Sequence, residues 1–267
     1  MATPDQEPTP APPPAPSPLD NLGLILVRPK SPENVGAAIR VAMNMGIAGV
    51  ALVGGAGLDE ARMRAMATSR GEALLATLAR HPSLAEAVAP YHLVAGTTAR
   101  IGRHRQVHRT PHQLAAEVAP LLAGNRVAIL FGPEDRGLSN EDLAFCQVLV
   151  SIPTADFSSL NLAQAVAIIA YELRLASLSS AERLRPQPRR ANQHELAGMY
   201  RHLEEALRTV GFLKHLDAEH WMGNVRRFLG RVGLSAKEVR LVRGVCRQLL
   251  WWDGQRQQGA PPPAPQD

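Results

Sequence analysis

The residues best suited to chemistry gather in three short polar clusters, each directly after an apolar run: Gly96-Thr97-Thr98, Gly132-Pro133-Glu134-Asp135-Arg136-Gly137 and Ser158-Ser159-Leu160-Asn161. A fourth group, Asn34-Val35-Gly36-Ala37-Ala38-Ile39-Arg40, lies near the start and pairs an amide with a guanidinium on one segment. Glycine beside small hydroxyls lets backbone amides approach a ligand closely, because no side chain stands in the way. Taken singly, each cluster has a second reading. Gly96-Thr97-Thr98 is also an ordinary strand-end turn, Glu134 also suits a helix N-terminus, and Ser159, Asn161 and Asn34 also suit helix caps.

These clusters need strands to aim them. Residues 130–164 alternate apolar strand, glycine loop, short helix, second strand, polar loop and long helix. If the two loops leave neighbouring strands at one sheet edge they form a crevice, the usual ligand position in an open α/β sheet. Apolar runs at 22–27, 49–53, 91–95, 127–131 and 148–152 read as five strands. Helical spacing follows them, from about Asn34 with Gly46 as C-terminal cap, at 61–68 and 73–78, at 114–122 after Thr110-Pro111, and at 160–178. Ser139 and Asp142 have the spacing of a capping box. Strands alternating with helices predict an α/β fold with a parallel, doubly wound sheet over residues 21–178.

Residues 1–20 and 253–267 are Pro-rich tails without apolar periodicity and are expected to be disordered. A Ser/Arg/Pro/Gln stretch at 179–192 reads as a linker. The stripe Leu196, Met199, Tyr200, Leu203, Leu207, Val210 then opens a small all-α C-terminal extension, 193–252, with further helices at 221–229 and 236–250.

No P-loop, GxGxxG or HExxH pattern and no serine nucleophile motif occurs, which disfavours nucleotide-hydrolysing, dehydrogenase and metalloprotease classes. The N-terminus lacks a signal-peptide pattern and no apolar run reaches about 18 residues, so a cytoplasmic protein without a membrane span is expected. Cys146 and Cys246, the only cysteines, have no metal-binding spacing and read as buried thiols. His104, His108 and His112 recur every fourth position, but Pro111 interrupts that helix and no carboxylate or thiol joins them, so no metal is expected. The net charge of +5 suits a polyanionic partner. Arg100, Arg103, Arg105 and Arg109 follow a candidate ligand loop with no acid among them, which reads as a loop tracking RNA phosphates or as a solvated basic loop. Arg226 and Arg227 head a second basic group in the extension.

The Asn-x-Gly-x-x-x-Arg segment and the two later loops, in that order, resemble the three motifs of the TrmH family of SPOUT methyltransferases. The C-terminal segment resembles the extension of TrmJ-type tRNA 2′-O-ribose methyltransferases. The resemblance implies a deep trefoil knot holding S-adenosylmethionine, with Gly96, Thr97, Thr98, Leu130, Gly132, Glu134, Ile152, Ser159, Leu160 and Asn161 around the cofactor. It also implies Arg40 as catalytic residue, with Asn34, Ser159 and Asn161 beside it. A guanidinium is effectively always protonated, so phosphate fixation and alkoxide stabilisation fit Arg40 better than proton abstraction. The implied activity is methyl transfer to a pyrimidine ribose at the first nucleotide of the anticodon loop of tRNA by a homodimer. A ribosomal RNA substrate and a non-catalytic RNA-binding protein are the alternatives.

Overall fold

The computed structural model describes residues 17–99, 107–155, 160–180, 188–213 and 218–257. Seven strands form one sheet: β1 (Leu22–Val27), β2 (Gly49–Val53), β3 (Ala79–His81), β4 (Leu93–Thr97), β5 (Val107–Arg109), β6 (Val127–Phe131) and β7 (Val148–Val150). Their spatial order is β3-β2-β1-β6-β4-β7-β5, and every pairing is parallel. The α/β class and the parallel sheet are therefore as expected. Two strands escaped the pattern because they are short edge strands: β3 is largely exposed, and β5 lies in the basic segment, so neither has an apolar run.

Alternate residues of the buried strands face opposite layers. Leu24, Leu26, Leu52, Ile129 and Phe131 pack beneath α1 (Pro32–Met45), α2 (Glu60–Ala76), α4 (Pro111–Val118) and α6 (Leu162–Ser180). Ile25, Val27, Val53, Val94, Leu130 and Leu149 pack beneath α3 (Leu84–Val88) and the residues around α5 (Asn140–Leu143). Each fully buried aliphatic side chain contributes about 1.5–3 kcal/mol relative to exposure, so the central strands hold the sheet edge rigid. Helix α2 joins the two segments expected at 61–68 and 73–78, with a break at Thr68 (φ 63°). Gly46 ends α1 in the left-handed conformation (φ 73°).

Helix α6 is long and apolar enough to cross a membrane by length and composition, although Glu172 and Arg174 interrupt it as an apolar run. Its Val166, Ile169, Ala170 and Leu173 face, however, is buried in the core against α1 and α4. It runs to Ser180, past the expected end at Leu178. Cys146 and Cys246 are both buried.

The extension consists of α7 (Gln193–Thr209), α8 (Ala218–Val232) and α9 (Ala236–Gln257), the last of which passes both the expected helix end at Leu250 and the expected end of the extension at Trp252. Two small clusters, one around Leu196, Met199 and Val239 and the other around Leu213, Ala218 and Met222, form its interior. It docks where strands begin: the Gln193 and His194 N–H groups donate to the carbonyls of Tyr91 (2.9 Å) and Ala89 (3.2 Å), and the Arg190 N–H donates to Asn125 Oδ1 (2.8 Å).

Candidate active site

The loops after β6, β4 and β7 leave adjacent strands at one sheet edge. The loops after β6 and β7 are not themselves neighbours, as the sequence pattern implied. β4 lies between them and inserts Gly96-Thr97-Thr98 into the crevice, with the Thr98 N–H donating to the Val150 carbonyl (3.0 Å). Strand order is set by long-range pairing, which local periodicity does not carry.

Asn34 joins two of the three clusters. Its side-chain amide N–H donates to Glu134 Oε1 (2.9 Å), and its Oδ1 accepts from the Asn161 amide (2.8 Å). One residue at the start of α1 thus holds the loop after β6 to the start of α6. The N–H groups of Lys30 and Ser31 also donate to Glu134, at 2.9 and 3.2 Å. Burial acts to raise the Glu134 pKa, but the Asn34 amide and these backbone donors outweigh it and hold the carboxyl below its ordinary value. Glu134 is therefore an ionised clasp on the α1 N-terminus, where the helix dipole also favours negative charge.

This has a measurable consequence. A carboxylate with a lowered folded pKa contributes stability above its unfolded pKa of about 4.3 and loses it as pH falls through the folded value. Below about pH 5 the stability gap between wild type and Glu134→Gln is expected to narrow as acid is added, while above it the wild type stays more stable. Urea midpoints between pH 3 and 7 test this; a gap independent of pH would refute the charged clasp.

The loop after β1 is a fourth wall that sequence reasoning passed over. Arg28 has a left-handed backbone (φ 49°), unusual for a residue with a side chain. Its N–H donates to the Val53 carbonyl (2.7 Å), and its guanidinium pairs with the buried Asp142 at the start of α5. Lys30 Nζ reaches Asp135 at 2.7 Å. The signal was available in the Arg28-Pro29-Lys30-Ser31-Pro32 break, which directly precedes the Asn34 segment at a strand end.

Two glycines of the clusters are required by close approach. A Cβ on Gly132 would lie 2.2 Å from backbone atoms of Gly137 and Leu138, because the loop folds back on itself there. A Cβ on Gly36 would lie 2.1 Å from the Met63 carbonyl oxygen, where α1 crosses α2. Gly96 faces Cys146, whose sulfur would be 2.6 Å from an added Cβ.

The remaining predicted residues divide by position. Thr97 is half-buried at the end of β4, Leu130 is fully buried between Ile25 and Gly96 in the sheet, and Ile152 packs on the core after β7. Leu160 is half-buried ahead of Asn161, whose Oδ1 accepts from the Ala163 N–H (2.8 Å) as a helix cap. Arg40 is exposed on α1 and forms no ion pair or side-chain hydrogen bond with a described residue. It lies about 9 Å along the helix axis from Asn34, so the structure does not bring it into the Asn34–Glu134–Asn161 network. Ser159, Arg100, Arg103 and Arg105 lie outside the described residues. Arg109, in β5, is ion-paired with Glu117 of α4, a partner that its own segment lacks. His108 lies in β5 and His112 in α4, so they share no helix face; His104 lies outside the described residues.

The crevice fits a polar cofactor in one further respect. The Ser151 hydroxyl, directly after β7 and before Ile152, is buried with no hydrogen-bond partner among the described residues. Buried polar atoms are normally satisfied, so this orphan is a group that a ligand can complete.

Residues 21–171 match the SpoU rRNA Methylase family, and residues 194–260 match the C-terminal domain of the tRNA methyltransferase TrmJ. The chain is 34% identical over 246 residues to the tRNA (cytidine/uridine/adenosine-2′-O-)-methyltransferase TrmJ of Pseudomonas aeruginosa, covering 86% of this chain and 94% of that one. It is 32% identical to the tRNA (cytidine/uridine-2′-O-)-methyltransferase TrmJ of Pectobacterium atrosepticum, over 85% and 95% of the two chains. Among solved structures, TrmJ from Z. mobilis superposes with a TM-score of 0.74 at 32% identity, over 85% of this chain and 98% of that one.

Proposed function

Because this chain belongs to the SpoU methylase family, we propose that it methylates the ribose 2′-oxygen of a tRNA pyrimidine, at nucleotide 32 of the anticodon loop, from S-adenosylmethionine. The observation that carries the reading is the Asn34 bridge between Glu134 and Asn161, which draws the family's motifs to one sheet edge. The choice of tRNA rests on the similarity to TrmJ enzymes along nearly the whole chain. The SPOUT domain is assigned to 21–178, with a trefoil knot formed by the loops after β6 and β7, and the extension to 193–252. The protein acts in the cytoplasm.

Bound S-adenosylmethionine supplies a methyl group already activated on a sulfonium. The chain supplies the seat: backbone around Gly96, Thr97, Thr98 and Gly132 on one side, and Ile152, Ser159, Leu160 and Asn161 on the other, above the buried Leu130. Glu134 and Asn34 keep the seat closed by holding its walls together. Arg40, free of any carboxylate among the described residues, fixes phosphate and stabilises negative charge developing on the ribose O2′.

The deciding experiment is transfer of radiolabelled methyl to unmodified tRNA transcripts bearing C, U, A or G at nucleotide 32, and to ribosomal RNA fragments. Label on a C or U ribose, mapped by alkali resistance, is the expected result. Label on ribosomal RNA alone would move the substrate, and cofactor binding without label on any RNA would overturn the reading.

The protein works as a homodimer. Ile168, Tyr171, Leu175 and Leu178 form an exposed stripe at 3- and 4-residue spacing on α6, with Met43 of α1 also exposed. Burying such a stripe against its symmetry copy is the usual solution. Light scattering is expected to give twice the 28.8 kDa chain mass, and Tyr171→Glu with Leu175→Glu is expected to give monomer; a wild-type monomer at micromolar concentration would refute the dimer.

A further inference from the structure

A cleft of about 940 Å³ separates the two parts of the molecule on the side of the sheet away from α1 and α6. One wall is α3 with residues 140–147, and the other is α7 with α8. It runs from Gln147 and Gln193, where the extension docks, along α5 to Asn140, which follows directly on the loop carrying Glu134. It does not include the sheet-edge crevice.

The cleft combines two chemistries. Leu143, Phe145 and Tyr200 give it an apolar floor, and Arg201, Arg226, Arg227 and Arg231 bring four positive charges against the two negative charges of Glu86 and Glu219. None of the four arginines forms an ion pair with a described residue. The Arg226 guanidinium lies over the Tyr200 ring, 5.8 Å from its centroid, a cation–π contact that holds its charge at the aromatic floor. The net charge of +2 that four arginines and two glutamates leave at one cleft raises its affinity for a polyanion, and an apolar, aromatic floor beneath suits an unstacked base.

We propose that this cleft is a second RNA site, which seats a single-stranded nucleotide away from the target, with its base on the Tyr200 side and its phosphates on Arg226, Arg227 and Arg231. The inference rests on RNA being the substrate. It adds that the extension binds through the wall it shares with the SPOUT domain, so that α5 carries RNA contact on one side and the cofactor loop at its start.

The structure supplies a position from which a side chain can leave the backbone into the cleft without a clash at its Cβ. A Cβ on Gly223, in the α8 wall, meets no atom within 4 Å, and the same holds for Gly244 of α9, which does not line the cleft. Both glycines sit in helices, where a side chain also raises helix propensity. The full-length protein is tested by fluorescence anisotropy of a labelled tRNA transcript across salt concentrations, with S-adenosylmethionine affinity and thermal midpoint measured in parallel.

Gly223→Phe is expected to weaken tRNA binding about tenfold or more, with Gly244→Phe as wild type and cofactor affinity unchanged in both. The triple Arg226→Gln, Arg227→Gln, Arg231→Gln is expected to lower the slope of log affinity against log salt by about 2, because each single-strand phosphate that an arginine neutralises adds about 0.7 to that slope. Wild-type tRNA binding in Gly223→Phe, or an unchanged salt slope in the triple variant, overturns the proposal. Failure of the wild type to bind any RNA would instead remove the RNA reading and the second site with it.

Discussion

Replacing Arg40 by Ala is expected to lower methyl transfer to tRNA by about 10²–10³-fold, the usual effect of removing one group that stabilises transition-state charge, while S-adenosylmethionine binds as before. The separation follows from position. Arg40 is exposed, and it contributes no ion pair or side-chain hydrogen bond to a described residue. Surface substitutions of that kind usually change stability by no more than about 0.5 kcal/mol. Arg40→Lys retains a charge without the planar, bidentate fork and is expected to recover only part of the rate. Single-turnover rates with saturating cofactor, alongside calorimetric titration of the cofactor, would measure both. Wild-type turnover in Arg40→Ala would remove Arg40 from the chemistry, and a parallel loss of cofactor affinity would make it a structural residue of the pocket.

Gly132→Ala is expected to have the opposite signature. The methyl group would lie 2.2 Å from the Gly137 carbonyl carbon and the Leu138 nitrogen. Those are backbone atoms, in a loop pinned by the Gly137 N–H donating to the Pro133 carbonyl (2.9 Å) and by the Glu134 clasp. No side chain can swing away to make room, so the loop itself must open. Overpacking of this kind costs about 1–3 kcal/mol, which at this chain length lowers the thermal midpoint by roughly 2–12 °C. Because the same loop walls the proposed cofactor seat, affinity for S-adenosylmethionine is expected to fall by more than tenfold. Gly244→Ala, in open space, is expected to leave both unchanged. A Gly132→Ala protein with wild-type cofactor affinity and midpoint would show that the loop does not close as tightly as the structure draws it.

What the residues determined alone was the class of fold and the identity of its loops. The apolar runs at 22–27, 49–53 and 127–131 coincide with β1, β2 and β6, because a buried parallel strand must be apolar on both faces and short-range pattern records that. The capping box at Ser139 and the left-handed Gly46 are likewise local chemistry. Tertiary structure decided the order of the strands. The placing of β4 between β6 and β7 brings three loops together and not two, and it depends on pairings between residues tens of positions apart.

Tertiary structure also decided which polar residues meet. Asn34 finds Glu134 and Asn161 across separations of 100 and 127 residues, Arg28 finds Asp142, and Arg109 finds Glu117. Read along the chain, Glu134 suits a helix N-terminus with no partner named, and Arg109 belongs to a basic segment without an acid. In space the first is a clasp and the second is paired, because a side chain's role is set by the partner that folding brings within hydrogen-bond reach, and that partner is not written beside it.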